Sequence, residues 1–564
     1  MNNFVSEAEE ENYRLLPTES DVEAQAIERS KYSFGIYRIA KIEDKKFWLM
    51  GAIFFIIAYV YSVMREIKDA FIIIRQLPAS IHILKLLWVP PIAMISMLIV
   101  QKALVNNENR TILKYVCIGF AVYFFIYTGI SFPWKFSFEP NDQPLKDWVA
   151  DGKMKYKGVE AMLAVLLTFY GWTSTVHFIA SEILGSLMLS FLFMSFANDI
   201  CPMKQFLRFI PLLYVISNAA IIASAGTMYA LQRLLTVSTY IKGRMVLSLL
   251  FLISGFLCFA ITGLIIIMEK KILGRPLFIV EGERRVKKKV KISASEAIKL
   301  VMSSKLVLAI CATVLFYNVS TNMAESSYKS VLRIRSDEIG TSGGEAHVMM
   351  KQFITQLIIG FAVIFLLITP FSRLVTTVGW TAVAIIPPIF AGIASFIIFS
   401  LAIYNTGTKN ENVFGFINTI FSKNKFLHSI FHNEKNPLWL EESIGVIVVA
   451  FYKVFKYAAF DIAKEAISMK IDSKYRSRFK GVYDGMCGRL GKGCGAIISF
   501  TVTMVASTTD IRKASPFYLA TSLLLASTWI YLSIYLGNKY KEAVRNNTTV
   551  DIDLIGQRKG AIEE

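Results

Sequence analysis

Charge is scarce in this sequence. Only 18% of its 564 residues are Asp, Glu, Lys or Arg, where an ordinary soluble domain carries about 25%. Apolar residues make up 54%, and the mean hydropathy is +0.49. Together these exclude a water-soluble globule, a disordered chain and a fibrous repeat, and point to an integral membrane protein. Cysteine and histidine are also few, at 6 and 5 residues. Cys117, Cys201, Cys258, Cys311, Cys487 and Cys494 lie in or beside apolar segments, without a C-x-x-C pair. Disulfide scaffolds and zinc sites need spacings that are missing, so these thiols read as small buried hydrophobes. His82, His177, His347, His428 and His432 form no metal-ligand pattern, and neither a metal nor a cofactor is expected. No secretory leader or transit peptide is expected. Residues 1–46 are polar and of mixed charge, and residues 1–30 are rich in Glu, unlike a secretory signal or a transit peptide.

What the chain has in abundance is apolar runs of about 20 residues, the length that crosses a hydrocarbon core as a helix. Twelve are expected. Six lie at roughly 47–66, 83–104, 111–131, 172–199, 208–231 and 244–268. Six more lie at roughly 304–324, 348–369, 376–404, 441–466, 486–507 and 516–537. The run 159–170 is apolar but short, and reads as an interfacial lead-in to the fourth span. The fold class that follows is all-α and integral to the membrane, with twelve transmembrane helices in two six-helix halves, as in the major facilitators. The halves are 47–268 and 304–537, with a polar tail 1–46, a basic linker 269–303 and a tail 538–564. A weak internal echo supports them. Tyr61-Ser62-Val63 precedes Lys68 in the first span and Tyr317-Asn318-Val319 precedes Glu325 in the seventh.

Lys and Arg outnumber Asp and Glu by 61 to 42, a net charge of +19. The linker carries Arg284, Arg285, Lys287, Lys288, Lys289 and Lys291. Such clusters stay on the cytosolic side, which places both termini and the 470–480 loop inside, and the 132–158 and 405–440 loops outside. The basic run reads as a solvated orientation signal that touches anionic lipid, and no nucleic-acid partner is expected.

Charges within the spans are the informative ones, because a Lys or Asp at a helix centre costs about 2.5–3.5 kcal/mol to insert. In the tenth span Lys453, Lys456 and Lys464 fall on one stripe at about 100° per residue, with Asp461 beside it. They read as an anion-binding face; the alternative is an intrahelical Asp461–Lys464 pair at i,i+3. The first span ends in Arg65, Lys68 and Asp69, a basic mouth with a balancing carboxylate. Glu182 precedes Gly185-Ser186 in the fourth span, where it could pair with a Lys on another helix, and Glu325 closes the seventh. Gly485 to Gly495 superficially looks like a phosphate loop. It misses the G-x-x-x-x-G-K-[ST] spacing and opens an apolar helix, so Arg489 and Lys492 read as cationic gate residues.

Four segments resemble the nucleotide transporter (ATP/ADP translocase, TLC-type) family of plastids, intracellular bacteria and microsporidia. They are Tyr61–Asp69, Ala180–Ser186 with Phe196-Ala197-Asn198, Glu325–Lys329, and Lys456–Glu465 followed by Gly488–Lys492. Ile183 and Ile462 depart from the usual family text, and the long polar tail is most similar to microsporidian members. The resemblance implies a carrier, not an enzyme, that exchanges ATP for ADP by alternating access and imports host ATP into an intracellular parasite. It puts the four charged transport positions on Lys68, Glu182, Glu325 and Lys464. Lys456, Asp461, Arg65 and Asp69 complete the expected substrate site, with Lys453, Arg489 and Lys492 as gates. The expected partners are ATP and ADP, with GTP and GDP as further nucleotides, and the lipid bilayer. The protein is expected to be a monomer in the plasma membrane or in that of a mitosome. The charges by themselves also fit another organic-phosphate carrier with net or proton-coupled import, or an anion channel.

The topology has a direct consequence. In intact cells, a cysteine at Lys288 should resist an impermeant thiol reagent added outside, and one in the 141–147 loop should react. Labelling at 288 would invert the assignment.

Overall fold

A computed structural model describes residues 19–31, 37–131, 139–141, 144–145, 159–201, 203–237, 240–273, 304–368, 378–423, 437–471, 483, 487–506, 508, 510–546 and 548–550. Eleven helices among them are long and apolar enough to cross a membrane. In the first half these are α1 (Lys41–Arg75), α2 (Pro78–Leu104), α3 (Asn109–Gly129), α4 (Trp172–Ile200), α5 (Arg208–Leu234) and α6 (Leu247–Ile272). In the second half they are α7 (Lys305–Ile339), α8 (Gly343–Leu367), α9 (Trp380–Thr408) and α10 (Leu438–Ser468), and finally α12 (Ile511–Arg545). Between the last two lies α11 (Gly488–Ala506), whose apolar part, Leu490–Ala506, is shorter. The expected twelve-helix, all-α membrane architecture is therefore present, with one short member. The basic run Arg284–Lys291 and residues 472–480 of the second basic loop lie outside the described residues, as does most of the 132–158 loop.

The helices outrun the apolar windows in an instructive way. The first span was expected to stop near 66 and the seventh near 324, yet α1 reaches Arg75 and α7 reaches Ile339. The additional turns carry Lys68, Asp69, Glu325, Lys329 and Arg333. Hydropathy reads such residues as leaving the membrane, but here they face protein partners instead of lipid. The expected linker start at 269 shifts for a similar reason: a π-helical turn, Glu269–Leu273, continues α6, and Glu269 is held by Lys114 at 2.9 Å. The short helix Val159–Tyr170 is separate from α4 and packs on the start of α2, where Ser80 Oγ donates to the Ala164 carbonyl at 3.0 Å.

Each half is locked around its first and fourth helices. Phe54 of α1 stacks on Phe193 of α4 with ring centroids 4.2 Å apart, and Tyr317 of α7 stacks on Phe460 of α10 at 5.2 Å. A glycine permits a second close approach in each half. A Cβ on Gly185 of α4 would overlap the Tyr61 ring, and one on Gly445 of α10 would come within 2.5 Å of Tyr328 Cδ2. Each fourth helix also contains a π-helical stretch: Gly185–Leu192 in α4, which opens at the glycine and ends just before Phe193, and Lys456–Phe460 in α10, which ends at the stacked ring. The halves meet extensively along α5 and α8, and again where α11 lies against α2. Met94, Leu98 and Ile99 of α2 and Leu524 and Tyr531 of α12 point outward, as lipid-facing residues should.

Gly185→Val should force Tyr61 out of its seat and destabilise the protein by about 1–3 kcal/mol. The readout is a lowered thermal midpoint in detergent. Gly119→Val is the control, because a Cβ there meets nothing within 4 Å.

Candidate functional site

The charged end of α1 sits inside the bundle. Lys68 is only 2% exposed. Its ammonium group lies 2.8 Å from Asp69 Oδ1 and 3.0 Å from Glu182 Oε1 of α4, with its Nζ 4.0 Å from the centre of the Phe178 ring. Asp69 does not stop at Lys68. Its second oxygen, Oδ2, accepts from Lys329 of α7 at 2.9 Å. A chain of alternating charge, Glu182–Lys68–Asp69–Lys329, thus runs from α4 through α1 to α7 and crosses from one half to the other. Glu325, one helical turn before Lys329, is 3.7 Å from Lys453 of α10. Arg65 is matched nearer home, by Glu66 at 2.9 Å, and its guanidinium carbon lies 5.6 Å from the centre of the Tyr61 ring.

Lys85 enters the same neighbourhood from a π-helical turn of α2, Leu84–Trp88, within electrostatic reach of Lys329, Glu325, Asp69 and Glu182. It lines a small cavity with His82, Asn322, Glu325, Ser326 and Lys329. Lys492 of α11 is exposed, lies close enough to Glu182 to act on its charge, and accepts a hydrogen bond at its carbonyl from Asn322 at 3.4 Å. The side chain of Arg489 lies outside the described residues.

Down α10 the arrangement departs from a single lysine stripe. Lys453 and Lys456 both turn toward α7, the first to Glu325 and the second toward the Tyr317 ring at 6.0 Å. The π-helical turn that begins at Lys456 then breaks the regular 100° step on which the stripe was counted. Lys464 instead meets Asp461 at 3.1 Å, the i,i+3 pair that the sequence offered as the alternative. The expected site residues therefore fall into two groups. Lys68, Asp69, Glu182, Glu325 and Lys453 gather where α1 and α7 approach each other, and Lys456, Asp461 and Lys464 lie further along α10.

Around the first group the halves are clasped. Arg333 of α7 donates to the Ile73 carbonyl at 2.6 Å and to that of Ile74, capping the last turn of α1 with a cation. Gln352 of α8 donates to the Glu66 carbonyl at 3.0 Å, and Gln356 donates to the Glu66 carboxylate. His82 Nε2 and Ser326 Oγ are 3.0 Å apart. Sequence reasoning left Lys329, Lys85, Arg333 and Glu66 out of the site. The signal for Lys329 was present: it follows Glu325 by four residues, on the same helix face. For Lys85 and Arg333 no local signal exists, because only the meeting of the halves gives them a role. Among the described residues no group of His, Cys, Asp and Glu is suited to a metal. The chemistry on offer is ionic: buried ammonium groups held by carboxylates that an incoming anion can replace.

Comparison with known proteins places the chain in a family. Residues 22–540 match the TLC ATP/ADP transporter family. ADP,ATP carrier protein 1 of Paranosema grylli is 36% identical over 544 residues, covering 96% of each chain. ADP,ATP carrier protein 1 of Encephalitozoon cuniculi (strain GB-M1) is 35% identical over 565 residues, covering 99% of this chain and 98% of its own. The corresponding protein of Rickettsia prowazekii (strain Madrid E) is 26% identical over 520 residues, covering 91% and 96%. In fold, the chain is similar to the crystal structure of a bacterial homologue of the iron transporter ferroportin in an inward-facing state. The TM-score is 0.50 at 13% identity, over 88% of this chain and 98% of that one. The twelve-helix bundle, the charges embedded in it and the match over nearly the whole chain lead to one assignment: this protein belongs to the TLC ATP/ADP transporter family.

Proposed function

We propose that the protein exchanges ATP for ADP across a membrane by alternating access, taking up ATP from a host cell. The observation that carries this reading is the set of embedded lysines, Lys68, Lys329 and Lys453, drawn from both halves and each held by a carboxylate, in a chain of this family. A nucleotide di- or triphosphate is a multiply charged anion and needs several cations, which Lys68, Lys456 and Lys464 supply with help from Arg65. While no substrate is bound, Glu182 and Asp69 neutralise Lys68, Asp461 neutralises Lys464, and Glu325 faces Lys453. No bond of the substrate is made or broken, so the role is transport. With both termini cytosolic in the plasma membrane, the clasped end of the bundle faces outward. A monomer suffices, since both halves of the site come from one chain.

Exchange should be strongly preferred over net uptake. Two unlike charges about 4 Å apart attract by about 4 kcal/mol at an effective dielectric of 20, so an empty carrier, whose buried ion pairs between the halves must break without a replacement anion, resists reorientation. A barrier difference of about 4 kcal/mol is nearly three decades in rate. Proteoliposomes preloaded with ADP should take up labelled ATP far faster than empty ones. Equal initial rates would instead favour net or proton-coupled import.

Lys464→Ala should lower ATP exchange by about tenfold or more, because charge-assisted contacts are among the strongest available. Lys474→Ala, in the polar loop, should change it little. Lys464→Arg should also be impaired, since a planar fork does not replace a compact ammonium. Uptake by each variant, normalised to inserted protein, decides the matter.

A further inference from the structure

The position of Asp69 is more demanding than that of a simple counter-ion. Both of its carboxylate oxygens are committed to lysines, Oδ1 to Lys68 at 2.8 Å and Oδ2 to Lys329 at 2.9 Å. Lys68 belongs to α1 in the first half, and Lys329 to α7 in the second. The Asp69–Lys329 contact must therefore break whenever the halves part at this end. Its side chains are only 16% and 12% exposed, so parting would strand two charges with little water to receive them, which is costly. The surroundings cannot simply re-pair Lys329. Glu325, the next carboxylate within electrostatic reach, already faces Lys453 at 3.7 Å, and Lys85 adds another positive charge beside it. Around this point four lysines (Lys68, Lys85, Lys329 and Lys453) face three carboxylates (Asp69, Glu182 and Glu325). The cluster has an anion deficit even while Asp69 serves two partners.

We propose that Lys329 is a substrate-binding residue for the nucleotide's phosphate groups, and that Asp69 is the internal anion that occupies Lys329 and Lys68 while the carrier is empty. This rests on the nucleotide reading above and extends it to a residue of the seventh helix. An anionic phosphate oxygen is the same kind of acceptor as a carboxylate oxygen, and a di- or triphosphate offers several of them. Substrate entering beside Lys68 and Glu182 takes over the ammonium groups that Asp69 held. The cross-half contact is then exchanged for a contact to substrate, and the halves part without leaving Lys329 bare. The two residues thus divide the work. Lys329 contributes to affinity for phosphate, whereas Asp69 sets how strongly movement depends on substrate.

This division separates a binding role from a merely structural ion pair, and a double-substitution cycle in proteoliposomes of the full chain tests it. Lys329→Gln should raise the KM for ATP about ten- to a hundredfold, as expected for a lost charge-assisted contact. Asp69→Asn should lower that KM severalfold, because its carboxylate no longer competes with phosphate for Lys68 and Lys329. It should also cut the ratio of uptake between ADP-loaded and empty vesicles by about tenfold. In the double variant D69N/K329Q the KM should stay raised and the loaded-to-empty ratio should stay low. If the two residues only pair with each other, the double variant recovers wild-type KM and ratio, and that result overturns the proposal. A wild-type KM in Lys329→Gln overturns it as well. Should the neutral variants fail to insert, Lys329→Arg retains the charge pair with Asp69. It should preserve the loaded-to-empty ratio while raising the KM severalfold, and an unchanged KM again overturns the proposal. Failure of the nucleotide reading looks different: the wild-type protein itself would then show no nucleotide exchange, whatever stands at 69 or 329.

Discussion

An ammonium group inside a membrane protein needs an anion beside it, and this requirement organises the centre of the molecule. Lys68 is almost wholly buried, in surroundings where an unmatched charge is strongly unfavourable. It is matched twice, by Asp69 and Glu182. Asp69 is then shared with Lys329, so satisfying one lysine ties α1 to α7 and one half to the other. The ion pairs are weak evidence for stability in themselves, because burying both partners costs nearly what their attraction returns. Their significance is that a soluble anion of the right charge can compete for the same lysines.

The two halves solve the same packing problem by the same means. In each, an aromatic ring of the first helix stacks on one of the fourth, and a glycine of the fourth helix admits a tyrosine of the first. A π-helical stretch follows in both fourth helices, near Glu182 in α4 and at Lys456 in α10. A π-turn leaves backbone groups less regularly bonded and re-aims the side chains after it, and such turns are frequent at functional sites.

The links between halves gather where α1 and α7 finish and where α2 and α8 begin. Arg333 caps α1, Gln352 and Gln356 hold Glu66, Lys329 holds Asp69, and His82 meets Ser326. These are polar contacts over a short stretch of each helix, in contrast to the long apolar seam between α5 and α8. Under the proposed alternating access, polar clasps would exchange partners with water or substrate as the end opens, and the apolar seam would serve as the pivot. The same contacts bear on why α1 and α7 extend beyond their apolar windows: Lys68, Asp69, Lys329 and Arg333 in the added turns find protein partners, while the final residues of α7, Asp337 to Ile339, are exposed.

By itself the sequence determined the class of the protein, the number and order of its helices and the identity of most charged residues at its centre. Hydrophobic runs long enough to span a bilayer leave few alternatives to helices, and charges are so costly there that Lys68, Glu182, Glu325 and Lys464 stand out without any coordinates. The family was legible from short stretches of text around those charges. What only the tertiary structure decided is which charge answers which. Lys464 took a partner on its own helix, Lys453 took one on α7, and a π-turn undid the single stripe that regular helical spacing implied. Lys329, Lys85 and Arg333 acquired their places through partners or neighbours in the other half, at separations such as the 260 residues between Asp69 and Lys329. Electrostatic pairing depends on distance in space and falls off within a few ångströms of separation between side chains, and a linear pattern carries that information only for neighbours on the same helix.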